Sequence, residues 1–305
     1  MSVLENAAKT FDLLGDERRI TRWRKILRKL LENKGAIFGL AMVLGVILSA
    51  IFAPFLSPHD PILQDVEKRL LPPIGQTGAD PSYLLGTDHL GRDIISRLIY
   101  GARISIVISV SAVVFSAILG TLIGLFSGFY GGKVDSIFMR LADVQLAFPF
   151  ILLAIAIIAV LGPDLQNIII TMGITGWVIY ARVVRAEVLS LREKEFILSV
   201  KALGGSSGRI IFKHLLPNVI PPIIVIITLE MARMIIMEAA LSFLGLGIQP
   251  PTPTWGGMLA DGRVYLATSW WLATFPGLVI MLVVLGINLL GNWLRDILDP
   301  RLTQL

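Results

Sequence analysis

Cysteine is absent from the 305 residues. That removes disulfides, thiolate nucleophiles and thiolate metal sites from consideration, though it names no compartment. Charge is scarce, with 16% of residues Asp, Glu, Lys or Arg. No glycine-rich phosphate loop ending in Lys-Ser or Lys-Thr occurs anywhere, so the chain carries no ATPase site of that kind. What is present is apolar: 55% of residues are hydrophobic and mean hydropathy is +0.77. This is the composition of a membrane protein.

Crossing about 30 Å of hydrocarbon takes roughly 20 apolar residues in a helix, because only helices and closed barrels satisfy their own backbone hydrogen bonds there. Six runs are predicted to cross: residues 36–56, 104–130, 141–162, 166–181, 219–248 and 271–294, the fourth interrupted by Gly173 and Gly176. The runs are continuous rather than alternating, which argues against a β-barrel. The fold class is therefore all-α, a polytopic membrane protein with six transmembrane helices.

Short loops rich in Lys and Arg stay on the cytoplasmic side. With the N-terminus inside, the inner segments hold twenty basic residues and the outer segments hold six: Lys68, Arg69, Arg92, Arg97, Arg103 and Arg263. Both termini are thus expected in the cytoplasm, with residues 1–35 and 295–305 inside and residues 57–103 forming an external loop. About 35 residues precede the first run, which is long enough to span, so no cleaved signal peptide is expected. Within residues 1–35, Ile20, Trp23, Ile26, Leu27, Leu30 and Leu31 recur at helical spacing, opposite Arg18, Arg19, Arg22, Arg24, Lys25, Arg28 and Lys29. This pattern predicts an amphipathic helix lying on anionic membrane lipid, each charge worth about 1 kcal/mol near the surface. A nucleic-acid partner is disfavoured because a span follows directly.

The external loop is proline-rich in its first half, and its second half, "LLGTDHLGRDIISRLIYGARIS", sets Asp88 in a turn between Gly86 and Gly91. His89 beside Asp88 and Asp93 reads as turn chemistry rather than a metal site, and none is expected. Gly120, Gly124 and Gly128 repeat every four residues, which aligns three missing side chains on one helix face and predicts a close helix-packing seam. Pro149 can kink the third span. Glu230, Arg233 and Glu238 all fall within the fifth span, where ionised groups are costly and face a neighbour or a water-filled path. Glu230 and Arg233, three apart, can pair on one face, so the three residues read either as lining a pathway or as a structural lock.

Residues 187–217 contain "REKEFILSVKALGGSSGRIIFKHLLPN". Helical spacing runs over about 187–203, with Phe196, Val200 and Leu203 on one stripe. Gly204 and Gly205 end that helix, Ser206 or Ser207 can cap a second, and Pro217 closes the second ahead of the fifth span. The expected shape is two short helices at an angle on the cytoplasmic face, suited to docking into another protein.

This stretch resembles the cytoplasmic loop of permease subunits of bacterial binding-protein-dependent ABC importers, whose signature is Glu-Ala-Ala, three residues, Gly, nine residues, Ile, one residue, Leu-Pro. Gly204, Leu216 and Pro217 stand at the required spacing; Leu198, Ser199 and Val200 replace Glu-Ala-Ala and His214 replaces Ile. The stretches "LGTDHLGRDIISRLIYGARIS", "GFYGGKVDSIFMRLADVQLAFPFILLAI" and "EAALSFLGLGIQPPTPTWGGMLADGR" are similar to the dipeptide and oligopeptide branch, specifically the second permease of its pair, and the likeness covers about residues 85–302. The resemblance implies the ABC importer permease fold, with residues 104–294 as a five-helix core, in a bacterial inner membrane. It implies a non-catalytic subunit working by alternating access with a homologous permease, two cytoplasmic ATPase subunits and an external solute-binding protein. ATP and magnesium would be bound by the ATPases, with no cofactor in this chain. Glu195, Phe196, Ser199, Val200, Ala202, Leu203, Gly204, Leu216 and Pro217 would form the ATPase-coupling loop. The implied cargo is a dipeptide or oligopeptide; nickel or another small solute on the same architecture, and an ion-gradient-driven secondary carrier, are the alternatives weighed. No self-similarity between the two halves of the chain supports the carrier.

Overall fold

The computed structural model describes residues 27–298. Most of the amphipathic helix expected before the first span, and the tail beyond residue 298, lie outside the described residues. Asn33 caps α1 (Lys34–Ile51), its Oδ1 accepting from the Ala36 N–H at 3.0 Å. An irregular segment leads to α2 (Ile94–Tyr130), followed by α3 (Gly132–Leu146), α4 (Phe150–Leu161), α5 (Leu165–Leu191), α6 (Glu195–Ala202), α7 (Ser207–Phe243), α8 (Trp255–Gly262) and α9 (Trp271–Leu298). Among the described residues there is no β-strand beyond a single bridge between Thr87 and Asp93. Five helices are long and apolar enough to cross a membrane, six if α3 and α4 count as one bent span.

The boundaries depart from the hydropathy reading where local chemistry intervenes. The second span was expected from residue 104, yet α2 starts ten residues earlier because Asp93 caps it, accepting from Ser96 N at 2.8 Å. At 37 residues α2 is about 55 Å long, more than a bilayer core needs. The third span, expected as one run over 141–162, is broken, with α3 and α4 meeting at 94°. Pro149 has no N–H to continue the ladder and disfavours helical backbone at Phe148, so α3 ends at Leu146 and α4 restarts at Phe150.

Pro217 has the opposite outcome from the one expected. It does not separate a second short helix from the fifth span: α7 runs unbroken from Ser207 to Phe243. A π-helical segment over Ile210–Leu215 shifts the hydrogen-bond register, with Leu216 N–H donating to Ile211 O, and Pro217 then sits in the first turn of the following α-helical stretch, where a missing donor is tolerated. The Asn218 amide adds a donor to His214 O at 2.6 Å.

Gly120, Gly124 and Gly128 lie against α5. A Cβ at Gly120 would stand 2.3 Å from Trp177 O, at Gly124 2.7 Å from Ala181 O, and at Gly128 2.7 Å from Val188 Cβ. The contacts advance together along both helices, so α2 and α5 run parallel, backbone to backbone. Gly173 and Gly176, read from sequence as interruptions, lie inside α5 where Phe115 and Ser116 of α2 fill the space. α1 crosses α9 in the same manner, a Cβ at Gly39 falling 2.6 Å from Gly286 O. Of the outward-facing positions, Leu44, Ile47 and Leu48 on α1, Val107, Val114 and Ile118 on α2, and Leu278, Met281 and Leu285 on α9 are all apolar, as a lipid-facing surface requires.

Candidate functional site

One end of the bundle carries the turn between α6 and α7, and the other carries residues 57–93 and 244–270. The turn is built by local backbone chemistry. α6 begins with Glu195 in its first turn and ends with Lys201 in its last, both signs matching the helix dipole. Leu203 is its C-cap. Gly204 N–H then donates to Lys201 O at 3.1 Å and Gly205 N–H to Val200 O at 2.9 Å, the paired closure of a Schellman motif. That closure needs a left-handed residue, and Gly204 has φ +76°. Ser206 caps α7, its Oγ accepting from Arg209 N at 3.4 Å.

The two glycines are required for different reasons. A Cβ at Gly205 would lie 2.6 Å from Val200 Cγ1, whereas at Gly204 it would meet nothing within 4 Å. Space outside Gly204 is open, and backbone conformation is what demands glycine there.

The turn is held to the bundle from below. Ile197, 2% exposed, enters an apolar cluster with Leu125 of α2, Tyr180, Val184 and Val188 of α5, and Ile210, Ile211 and Leu215 of α7. Val200 and Leu216 pack against the same cluster. The expected single stripe of Phe196, Val200 and Leu203 is therefore divided: Val200 faces the bundle, while Phe196 and Leu203 face out, Leu203 at 88% exposed. Glu195, Ser199, Ala202 and Pro217 are exposed, and Ser199 Oγ donates to Glu195 O at 2.8 Å. The continuous helix expected over 187–203 is instead the end of α5, a turn at residues 192–194, and α6. Arg192 ties that turn to α2, donating from Nη1 to Gly128 O at 3.0 Å. Sequence reasoning missed Ile197 as the anchor and Phe212, half-exposed beside the turn; both sit in helical runs whose inward face is set only by packing.

The three charges of the fifth span divide into two places. Glu230 is buried, and both its carboxylate oxygens accept from Arg233 Nη1 at 3.3 Å. Arg233 also stands over the Phe150 ring, 5.4 Å from its centroid. Glu238 is buried elsewhere, accepting from Ser242 Oγ at 2.8 Å and from Ser105 Oγ of α2 at 3.1 Å, and no bond joins it to the other two. Two hydroxyls, one from its own helix and one from α2, satisfy the Glu238 carboxylate.

At the opposite end Asp88 is buried between two arginines. It accepts from Arg92 Nε at 2.7 Å and from Arg97 Nη1, while Asp261 on α8 lies 3.4 Å from Arg97 Nη2 and 3.7 Å from Arg92 Nη2. Burial pushes the Asp88 carboxyl up, but the guanidinium groups of Arg97 and Arg92, with the backbone N–H groups of Arg92 and Leu90, hold it below the usual carboxylate range. Gly86 and Gly91, at φ +80° and +77°, let this loop fold onto residues 65–72: a Cβ at Gly91 would lie 1.7 Å from Asp65 O. Trp271 Nε1 donates to Thr87 O at 3.2 Å and Trp255 Nε1 to Leu98 O at 3.0 Å, so α9 and α8 are fastened to the same region. Sequence reasoning saw the Asp88 turn without this network. Among the described residues no cluster of His, Asp and Glu is arranged to hold a metal.

The geometry is that of a membrane bundle presenting a fixed turn at one end and a rigid, ion-paired cap at the other. Residues 120–304 match the family described as "Binding-protein-dependent transport system inner membrane component", and residues 21–73 match the "N-terminal TM domain of oligopeptide transport permease C". The chain is 47% identical to a dipeptide transport system permease protein of Alkalihalophilus pseudofirmus, over 93% of this chain and 91% of that protein. It is 46% identical to a di/tripeptide transport system permease protein of Pseudomonas aeruginosa, over 89% of each. It is 40% identical to an oligopeptide transport system permease protein of Bacillus subtilis, over 95% of each. The chain therefore belongs to the family of inner membrane components of binding-protein-dependent transport systems, as a multi-pass permease subunit.

Proposed function

We infer that this permease subunit imports dipeptides or oligopeptides, and that the turn at Gly204 couples it to ATPase subunits. The peptide assignment is supported by relatives named for dipeptide, di/tripeptide and oligopeptide transport at 40–47% identity over nearly the full chain, which favours peptides over nickel. Membership of a binding-protein-dependent family leaves an ion-gradient carrier without support. With no phosphate loop of its own, the chain takes its energy from separate ATPases, and it works beside a second permease and an external binding protein, with both termini in the cytoplasm.

The observation that carries the coupling role is the contrast within the turn: exposed Leu203 and Phe196 on a backbone that Ile197 and the Schellman closure hold fixed. A soluble end-loop has no reason to display such side chains on a rigid mount, and a partner's cleft does. Movement of that cleft would be passed to α2, through the Arg192 bond to Gly128 O, and to α7, which is continuous with the turn.

Gly204→Arg tests the assignment. The substitution strains a left-handed backbone and projects a long side chain into the open space where a partner would sit. Insertion and expression should stay near the parental level, while copurification of ATPase subunits and substrate-stimulated ATP hydrolysis fall about tenfold or more, the usual loss at an interface anchor. Variant complexes that keep their ATPases and transport at the parental rate would show that the turn is not the coupling element.

A further inference from the structure

Arg233 lies on the exposed stripe of α7 together with Leu229, Ile236 and Phe243, and is the charged member of that stripe. Its side chain is 43% exposed, while its partner Glu230 is 6% exposed. A guanidinium turned toward hydrocarbon in mid-span is strongly unfavourable, so this face meets water or a polar visitor. The arginine is held at one end only. Both Glu230 oxygens accept from the same nitrogen, Nη1, and the Phe150 ring covers one side of the group. Among the described residues neither Nη2 nor Nε has an acceptor. Phe150 is also the first residue of α4, immediately past the elbow at Pro149, so the open edge of the guanidinium faces out where the bundle is bent.

An Arg edge with two free N–H groups in a fixed fork matches the two oxygens of a carboxylate. Glu230 cannot supply that second contact, since it is committed to the other nitrogen. We propose that the open edge of Arg233 binds the terminal carboxylate of the peptide cargo during its passage through the membrane. The inference rests on the peptide-import reading above and adds a specificity-determining residue to it: the permease itself, beyond its binding protein, distinguishes peptides with a free C-terminus from those without one.

The test uses the whole complex with its partner permease and ATPases in lipid vesicles, at concentrations that saturate the binding protein. Maximal uptake of trialanine is compared with that of trialanine amide. The parental complex should favour the free acid. Replacing both members of the pair, Glu230→Gln with Arg233→Gln, removes the arginine without stranding a buried carboxylate, and should lower the acid-to-amide ratio by about tenfold or more. Glu230→Gln alone keeps the arginine and should leave the ratio within about twofold, since the recognising group is retained. If the double variant does not assemble, Arg233→Lys carries the test, because it keeps a charge for Glu230 but loses the fork, and the ratio should drop several-fold. A parental ratio in the double variant, or in Arg233→Lys, overturns the proposal, as does a ratio lost equally in Glu230→Gln alone, which would make the pair purely structural. Failure of the parental complex to take up either peptide would instead overturn the import reading on which the proposal rests.

Discussion

Asp88 shows how one side chain decides the order of a whole loop. It is buried beside Arg92 and Arg97, and removing its charge leaves two cations without their main partner in a low-dielectric site. Breaking such a pair costs about 3–5 kcal/mol, so Asp88→Asn should lower the thermal midpoint in detergent sharply. Asp261, 36% exposed and 3.4–3.7 Å from the same arginines, is screened by solvent; Asp261→Asn should cost no more than about 1 kcal/mol. The pH dependence has a definite sign. A carboxyl whose folded pKa lies below its unfolded value, here 3.8, contributes stability that is fully present above that value and is lost as pH falls through the folded pKa. Thermal melts taken from pH 6 down to pH 3 (about the range over which Asp titrates) should therefore show a loss that is shallower in Asp88→Asn. The turn around Asp88 was legible from Gly86 and Gly91, but its partner Asp261 is 164 residues beyond Arg97, and no local pattern connects them.

Helices meet here through missing side chains, and the four-residue repeat of Gly120, Gly124 and Gly128 announced that in the sequence. Which helix fills the seam was decided by packing: the groove receives α5, in parallel, so the carbonyls of Trp177 and Ala181 come within reach of α2. Gly124→Leu would place Cβ 2.7 Å from Ala181 O and from Val184 Cβ, and backbone cannot yield as a flexible side chain can. Folded yield and midpoint should fall by the equivalent of about 1–3 kcal/mol or more. Gly45→Leu is the matched control: a Cβ there meets nothing within 4 Å on an exposed face of α1, and its effect should stay within about 0.5 kcal/mol. The prolines show where single-residue reading stops. Pro149 breaks its span at 94° while Pro217 sits in an unbroken α7, because Pro217 falls in the first turn after the π-helical segment, where a missing N–H is tolerated, and the Asn218 side chain adds a bond to His214 O beside it. Proline chemistry is the same at both positions; the surrounding hydrogen-bond partners are not.

Across the whole molecule, the parallel course of α2 and α5 and the Arg192 bond to Gly128 O set the ends of both helices beside the Gly204 turn. The long irregular segment before α2 and the residues after α7 lie at the other end. The twenty-to-six distribution of basic residues predicts which end is cytoplasmic. Because the chain has no cysteine, each engineered one is its sole thiol. Cysteines at Ser82 and Thr252 should react with an impermeant thiol reagent in intact cells, and one at Ser206 should react only after permeabilisation. Labelling of Ser206 from outside would overturn the orientation with both termini in the cytoplasm.

The sequence by itself determined that this chain lives in a membrane, roughly where it crosses, and that Gly204 ends a helix in a turn, because partitioning into lipid and backbone conformation depend on composition and near neighbours. It also carried the family likeness that residues 120–304 bear out. Tertiary structure alone decided that Ile197 faces in while Leu203 faces out, that Glu238 is satisfied by Ser105 and lies apart from Arg233, and that Arg233 keeps one edge open beside Phe150. Those outcomes turn on which helix packs against which. A membrane helix gains little from lipid on one side over another, so close packing and buried polar pairs between distant residues choose its neighbours.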